Sequence, residues 1–323
     1  MKKLTPLALL GAAALLLTGC SLSASGDTGG TVAAGSLAKI GDLSGATIAV
    51  GSKEFTEQQI LCEITAQALE STGAKVKREC GMSGSATVRS ALESGSIDMY
   101  WEYTGTGWIT HLGKTDPIVD PVELWETLDK TDQAKNGITW LKPAPANNTY
   151  AVAVEAKKGK ELGVSTLSEY AALANKDAAA ASFCGAAEFF GRNDGWPGLE
   201  KAYGFDLPRD NTSELAAGAV YNGIAKQNPC NFGEIFATDG RVQALGLTVL
   251  KDDKKFFTPY NPAVAVRSDV LKKNPQLADI MAPISEALTD EALQKLNAQV
   301  DVDGSTPADV AKKWLQDEGF IGA

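Results

Sequence analysis

Thr47-Ile48-Ala49-Val50-Gly51-Ser52-Lys53-Glu54-Phe55-Thr56-Glu57-Gln58 passes from a short apolar strand, through a turn at Gly51 to Lys53, into a helix. Thr56 followed by Gln59 fits a capping box. Ile60, Leu61, Ile64, Ala68 and Leu69 then recur at helical spacing, and Gly73 ends the run. Residues 74–78 read as a second strand, 86–93 as a second helix with Val88 and Leu92 inward, and 97–100 as a third strand. Strand, helix, strand, helix, strand is the order of an α/β fold built on a mostly parallel sheet.

Farther along, two small apolar strands look alike. Tyr150-Ala151-Val152-Ala153-Val154 follows an Asn-Asn turn, and Ala263-Val264-Ala265-Val266 follows Tyr260-Asn261-Pro262. They mark two places where the chain crosses between domains. The expected division is a first lobe of residues 44–148 plus 262–323 and a second lobe of 149–261. A chain of 323 residues suits two domains. Residues 279–288 and 291–300 read as amphipathic helices, and Thr306-Pro307 opens a last one.

The N-terminus is an export signal: Lys2 and Lys3, an apolar run over 7–17, then Leu17-Thr18-Gly19-Cys20. The run is too short for a membrane span. The cysteine after small residues resembles a bacterial lipobox, which implies cleavage of residues 1–19 and a lipid on Cys20. Residues 20–43, rich in Ser, Gly, Ala and Thr, read as a tether with a random-coil span of roughly 25 Å. Four other cysteines remain, Cys62, Cys80, Cys184 and Cys230, and an even set in an exported chain points to disulfides. Of the three connectivities, Cys62–Cys80 with Cys184–Cys230 keeps each bridge local. Four free thiols is the alternative.

The formal charge of −10 argues against nucleic acid and anionic membrane faces as partners. With one histidine, His111, Ser-His or Cys-His catalysis has little to draw on, and His111 reads as a surface residue at a helix end. No Cys-x-x-Cys pair offers a zinc site, and Gly81 to Gly84 lacks the Gly-Lys-Ser/Thr of a phosphate loop. No cofactor or metal is implied, so binding without turnover is the default. Aromatics stand beside turn signals at Tyr103, Tyr150, Phe236 and Tyr260. Ligands of open α/β sheets sit beyond strand ends, where such rings would be placed.

Several motifs go further. Gly51-Ser52-Lys53-Glu54-Phe55-Thr56-Glu57-Gln58, the run from Gly95 to Gly107 containing Glu102-Tyr103-Thr104-Gly105-Thr106-Gly107, Asn147-Asn148-Thr149-Tyr150-Ala151, Arg192-Asn193-Asp194-Gly195-Trp196-Pro197-Gly198-Leu199, Ala237-Thr238-Asp239-Gly240-Arg241 and Leu250-Lys251-Asp252-Asp253-Lys254 closely resemble the glycine betaine, choline and carnitine binding proteins of osmoprotectant ABC importers. The resemblance runs from about Ala46 to the C-terminus. It implies a type II periplasmic-binding fold, two α/β lobes closing on a ligand between them, and partnership with a permease and its ATPase. It also implies a monomer on the extracytoplasmic face of the membrane.

By motif position the resemblance makes Tyr103, Tyr150, Phe236 and Tyr260 an aromatic box for a quaternary ammonium. Relatives usually carry tyrosine where Phe236 stands, so a hydroxyl is missing here. Lys53, Arg192 and Thr106 match positions that hold a ligand carboxylate, and Arg192 can do so with two parallel bonds. The competing assignment for both cations is an interlobe or surface salt bridge. Gln58 and Ser85 are further polar candidates. Ala86 lacks the acid or hydroxyl that some relatives place near choline's alcohol, which favours a zwitterion such as glycine betaine. A flat aromatic ligand in the same fold, a lipoprotein enzyme and a surface adhesin are the alternatives.

Overall fold

A computed structural model describes residues 32–114 and 118–323, and residues 32–323 form one compact unit. The signal, Cys20 and half of the expected tether lie outside the described residues. The strands, in chain order, are β1 (Thr47–Lys53), β2 (Lys75–Met82), β3 (Met99–Tyr103), β4 (Ile138–Trp140), β5 (Tyr150–Glu155), β6 (Phe183–Gly185), β7 (Thr212–Glu214), β8 (Phe232–Phe236), β9 (Leu247–Val249) and β10 (Pro262–Arg267). They make two five-stranded sheets, ordered β2-β1-β3-β10-β4 and β7-β6-β8-β5-β9. Each sheet is a parallel block of three strands followed by two antiparallel pairings. Those pairings were not legible as such in the sequence. They arise because β5 and β10, the strands that follow each crossing, enter against the direction of β8 and β3.

The buried pattern of the strands explains the layering. In β1, Ile48 and Val50 face one helical layer, formed by α1 (Thr56–Ser71) and the C-terminal helices Gln276–Ala287, Asp290–Asp301 and Pro307–Asp317. Ala49, on the opposite face, belongs to a second cluster with Val88 and Leu92 of α2 (Ser85–Ser94) and Leu124 and Leu128 of helix Pro121–Asn136. Alternate residues of a strand point to opposite faces, so a sheet covered on both sides needs apolar side chains at nearly every position. The second sheet repeats the scheme. Val152, Val154, Phe183 and Phe232 pack on one side, and Ala151, Ala153, Cys184 and Ile235 on the other. Disulfides Cys62–Cys80 and Cys184–Cys230 fasten a helix to an edge strand in the first sheet and β6 to the approach of β8 in the second.

Two expectations need correction here. The tether was read through residue 43, but residues 32–43 are docked. Ala34 bridges Ile321, Ser36 N–H donates to Gly319 O at 3.0 Å, and Leu37 is buried in the first core. A Ser- and Gly-rich composition hid the leucines at 37 and 43 that fasten the segment. Thr56 and Gln59 form no capping box. Thr56 is the first helical residue, its hydroxyl donates to Asp301 at 2.6 Å, and Gln59 Nε2 donates to Glu54 O at 2.6 Å. A long-range acceptor on another helix takes the hydroxyl in place of the local N–H donor.

Candidate functional site

The two crossings between sheets lie side by side. Tyr260 N–H donates to Asn147 Oδ1 at 2.7 Å, and Asn148 N–H donates to Tyr260 O at 3.1 Å. The Asn-Asn turn therefore holds the second crossing in place and delivers Tyr150 and Tyr260 to one spot. Gly105 makes room there: a Cβ on it would sit 2.8 Å from the Tyr260 ring.

A cavity of about 710 Å³ opens between the sheets, a size typical of small-molecule sites. Its wall includes Tyr103 from the end of β3, Tyr150 from the start of β5, Phe236 from the end of β8, and Tyr260. Tyr150 and Phe236 are direct partners across the β5–β8 pairing. Phe55, which the sequence reading did not single out, completes the ring cluster. It stacks on Phe236 at 5.1 Å between centroids and on Tyr103 at 6.2 Å. Tyr150 lies 5.3 Å from Phe236 and 5.7 Å from Tyr260. Rings from both sheets thus share one cavity rather than separate cores.

The ring faces already attract cations. Lys53 Nζ stands 4.8 Å from the Tyr103 centroid, and Arg192 Cζ 5.4 Å from that of Tyr150. Both cations are also tightly paired. Lys53 Nζ donates to Glu102 Oε1 at 2.6 Å and to Ser85 Oγ at 3.3 Å. Arg192 donates to both oxygens of Asp194, at 2.8 and 2.5 Å, to Glu188 at 2.8 Å and to Thr106 Oγ1 at 3.4 Å. The Tyr260 hydroxyl donates to the same Asp194. Arg241, a third cation of the wall, pairs with Asp239. Both cations are thus in salt bridges, though buried ones with carboxylates on their own side of the crossings rather than interlobe or surface pairs, and both still line the cavity with Thr106.

Gln58 and Ser85, expected at the ligand, sit behind the wall. Gln58 Oε1 accepts from Lys53 N–H at 3.3 Å, and Ser85 Oγ donates to Glu188 at 2.6 Å. Both are buried and hydrogen-bonded to a residue of the wall. His111 also departs from expectation. Its side chain is only 3% exposed, and Nε2 lies 3.0 Å from Glu102 Oε2. The helical turn Gly107–His111 folds back over β3 and turns the imidazole inward. Burial would raise the Glu102 pKa, but Lys53 and His111 outweigh it and hold the carboxyl well below its ordinary range.

Two carboxyls of the wall were missed as well. Glu57 is buried, and burial raises its pKa. It accepts from the Tyr103 hydroxyl at 2.8 Å, Asn148 Nδ2 at 2.8 Å, the Thr238 hydroxyl at 2.5 Å and Asn297 Nδ2 at 2.9 Å. Glu234, two residues before Phe236 on the same face of β8, is pushed up to about 8 by burial. Phe55 and Glu57 stood inside the quoted opening stretch, so their neighbourhood was legible. Glu234 lay in a strand with no motif around it.

The match to known proteins fits this geometry. Residues 46–317 match the family described as the substrate binding domain of ABC-type glycine betaine transport system. The chain belongs to this family. Among its relatives, a glycine-betaine-binding protein of Pseudomonas aeruginosa is 37% identical over 280 residues, covering 85% of this chain and 89% of the relative. Glycine betaine-binding protein YehZ of Escherichia coli is 37% identical over 281 residues, covering 84% and 91%. The solved structure of apo YehZ superposes with a TM-score of 0.63 at 33% identity, over 85% of this chain and 99% of that one. A third relative is named an ergothioneine transport permease/ergothioneine binding protein, EgtU of Helicobacter pylori. It is 32% identical over 274 residues, covering 84% of this chain and 48% of EgtU, so the chain spans about half of it. The two-sheet architecture is the two-lobed α/β fold of this family of periplasmic-type binding proteins.

Proposed function

We propose that this protein captures a quaternary-ammonium osmoprotectant, glycine betaine foremost, and delivers it to an ABC permease without transforming it. The ring cluster carries this reading: Phe55, Tyr103, Tyr150, Phe236 and Tyr260 converge from both sheets on one cavity. A trimethylammonium group has no N–H to donate, and its diffuse charge suits aromatic faces. Each desolvated cation–π contact contributes up to about 2 kcal/mol. Micromolar binding needs about −8 kcal/mol in all, so a few such contacts plus a polar grip on the other end suffice. Glu57, bonded to the Tyr103 hydroxyl, fixes that ring beside the others.

In this reading the lobes are residues 44–148 with 262–323, and 149–261, and they close on the ligand about the paired crossings at Asn147–Tyr150 and Tyr260. Tyr103, Tyr150, Phe236 and Tyr260, joined by Phe55, form the box, with Lys53, Thr106 and Arg192 at its polar rim. Gln58 and Ser85 support that rim. Residues 1–19 are removed on export, and a lipid on Cys20 holds a monomer at the outer face of the cell membrane. Calorimetry with glycine betaine, carnitine, choline and ergothioneine tests the reading. Binding of a quaternary amine at micromolar levels is expected, and no heat with any of them overturns it.

A further inference from the structure

The three cations of the cavity wall are committed to carboxylates of the protein: Lys53 to Glu102, Arg192 to Asp194 and Glu188, Arg241 to Asp239. A zwitterion seated in the rings therefore meets no unpaired cation of the described wall at its anionic end. Glu234 offers something different. It is 3% exposed and lines the cavity. Among the described residues its hydrogen bonding is confined to Oε2, which accepts from Ala186 N–H at 2.7 Å. Oε1 is left for whatever enters. Register places Glu234 on the β8 face that carries Phe236, diagonal to Tyr150 on β5. A ligand whose headgroup rests on Tyr150 and Phe236 thus projects its tail along the strand toward Glu234.

We propose that Glu234 is a specificity-determining contact of the cleft, its free oxygen meeting the polar end of the ligand and choosing between zwitterionic and purely cationic quaternary amines. This rests on the quaternary-amine reading above. The neutral carboxyl donates an O–H to a ligand carboxylate. The ionised carboxyl repels that carboxylate and favours a ligand with no negative charge. The groups facing it are Glu188, which with burial disfavours ionisation, Arg192, which favours it, and the uncharged Tyr150 hydroxyl. With its pKa near 8 the neutral form prevails at neutral pH, so the resting preference is for zwitterions.

Calorimetry with glycine betaine and choline, on the full chain and on Glu234→Gln, from about pH 6 to about pH 9.5 tests this. For the unaltered protein the ratio of glycine betaine to choline affinity falls by about tenfold or more across that range, the worth of one charge-assisted hydrogen bond. In Glu234→Gln, whose amide donates at every pH, the ratio stays near its low-pH value. A ratio that ignores pH in the unaltered protein overturns the proposal, whatever the variant does. So does the same pH dependence in Glu234→Gln. If neither ligand binds at any pH, the quaternary-amine reading itself falls and takes this contact with it; binding with a flat ratio removes the contact alone.

Discussion

The Thr238 hydroxyl, just past β8, donates to Glu57 Oε2 in α1 at 2.5 Å, so a buried carboxylate of the first lobe is a fastening point for the second. Asn148 on the crossing, Asn297 on helix Asp290–Asp301 and the Tyr103 hydroxyl bond to the same group. Glu57→Ala leaves these donors unpaired next to the rings. Buried donors without acceptors cost about 1–3 kcal/mol each before water enters. We expect the unfolding free energy measured in urea to fall by roughly 2–4 kcal/mol and ligand affinity to fall at least about tenfold. Thr238→Val, which removes one donor from the far lobe, should weaken the ligand more than it weakens the fold. Equal small effects in both variants would show that Glu57 does not join the lobes.

Phe55 is the ring that touches both Tyr103 and Phe236, and it comes from the turn before α1 rather than from a strand end. Phe55→Ala should therefore lower quaternary-amine affinity by about tenfold or more, as should Tyr103→Ala and Tyr150→Ala, if each ring supplies up to about 2 kcal/mol. Phe55→Leu, which keeps apolar volume but loses the ring face, separates packing from cation–π attraction. Titration calorimetry checks it, and full affinity in Phe55→Leu refutes a cation–π role.

Much of this site was legible because aromatic and turn residues cluster at strand ends. Tyr103, Tyr150, Phe236 and Tyr260 stand out that way as candidates, the family resemblance makes them a box, and the structure brings all four to one cavity. The alternation of strands and helices was equally plain from periodicity. What stayed hidden depends on pairing between distant segments. Nothing local says that Lys53 meets Glu102, that His111 turns inward to the same carboxylate, or that Glu57 collects donors from four segments. Leu37 folds against the C-terminal end of the chain and Leu43 is bonded at the end of α1, contacts no window of the sequence contains. A charged residue in mid-strand such as Glu234 carries no periodic signal of its own and is recognised only once its face of the sheet is known.

The disulfides close loops with sequence separations of 18 and 46 residues. In the chain-entropy account such links contribute roughly 3 and 4 kcal/mol. Each lobe holds one of them, so reduction should loosen both lobes. We expect the melting temperature to drop by several degrees in dithiothreitol. Cys62→Ala/Cys80→Ala and Cys184→Ala/Cys230→Ala should each reproduce part of the loss. An unchanged melting curve after complete reduction, verified by thiol titration, would contradict this.

Glu234 also makes a prediction about stability that needs no ligand. Its carboxyl has an ordinary value of 4.5 and is pushed up to about 8 in the fold. Between those values the folded state holds a proton that the unfolded chain has lost. Stability from this group is therefore fully present below about pH 4.5 and declines as pH rises toward 8, by a few kcal/mol in all. Glu234→Gln cannot ionise, so the decline attributable to this residue disappears. Measured by urea unfolding, the variant's stability relative to the unaltered protein should climb as pH rises from about 5 to about 8 and then level off. Groups such as Glu57 contribute to both curves alike, so the difference between them isolates Glu234. A difference that stays constant over that interval means the carboxyl is already ionised within the cavity, and the neutral donor invoked for the ligand's anionic end does not exist.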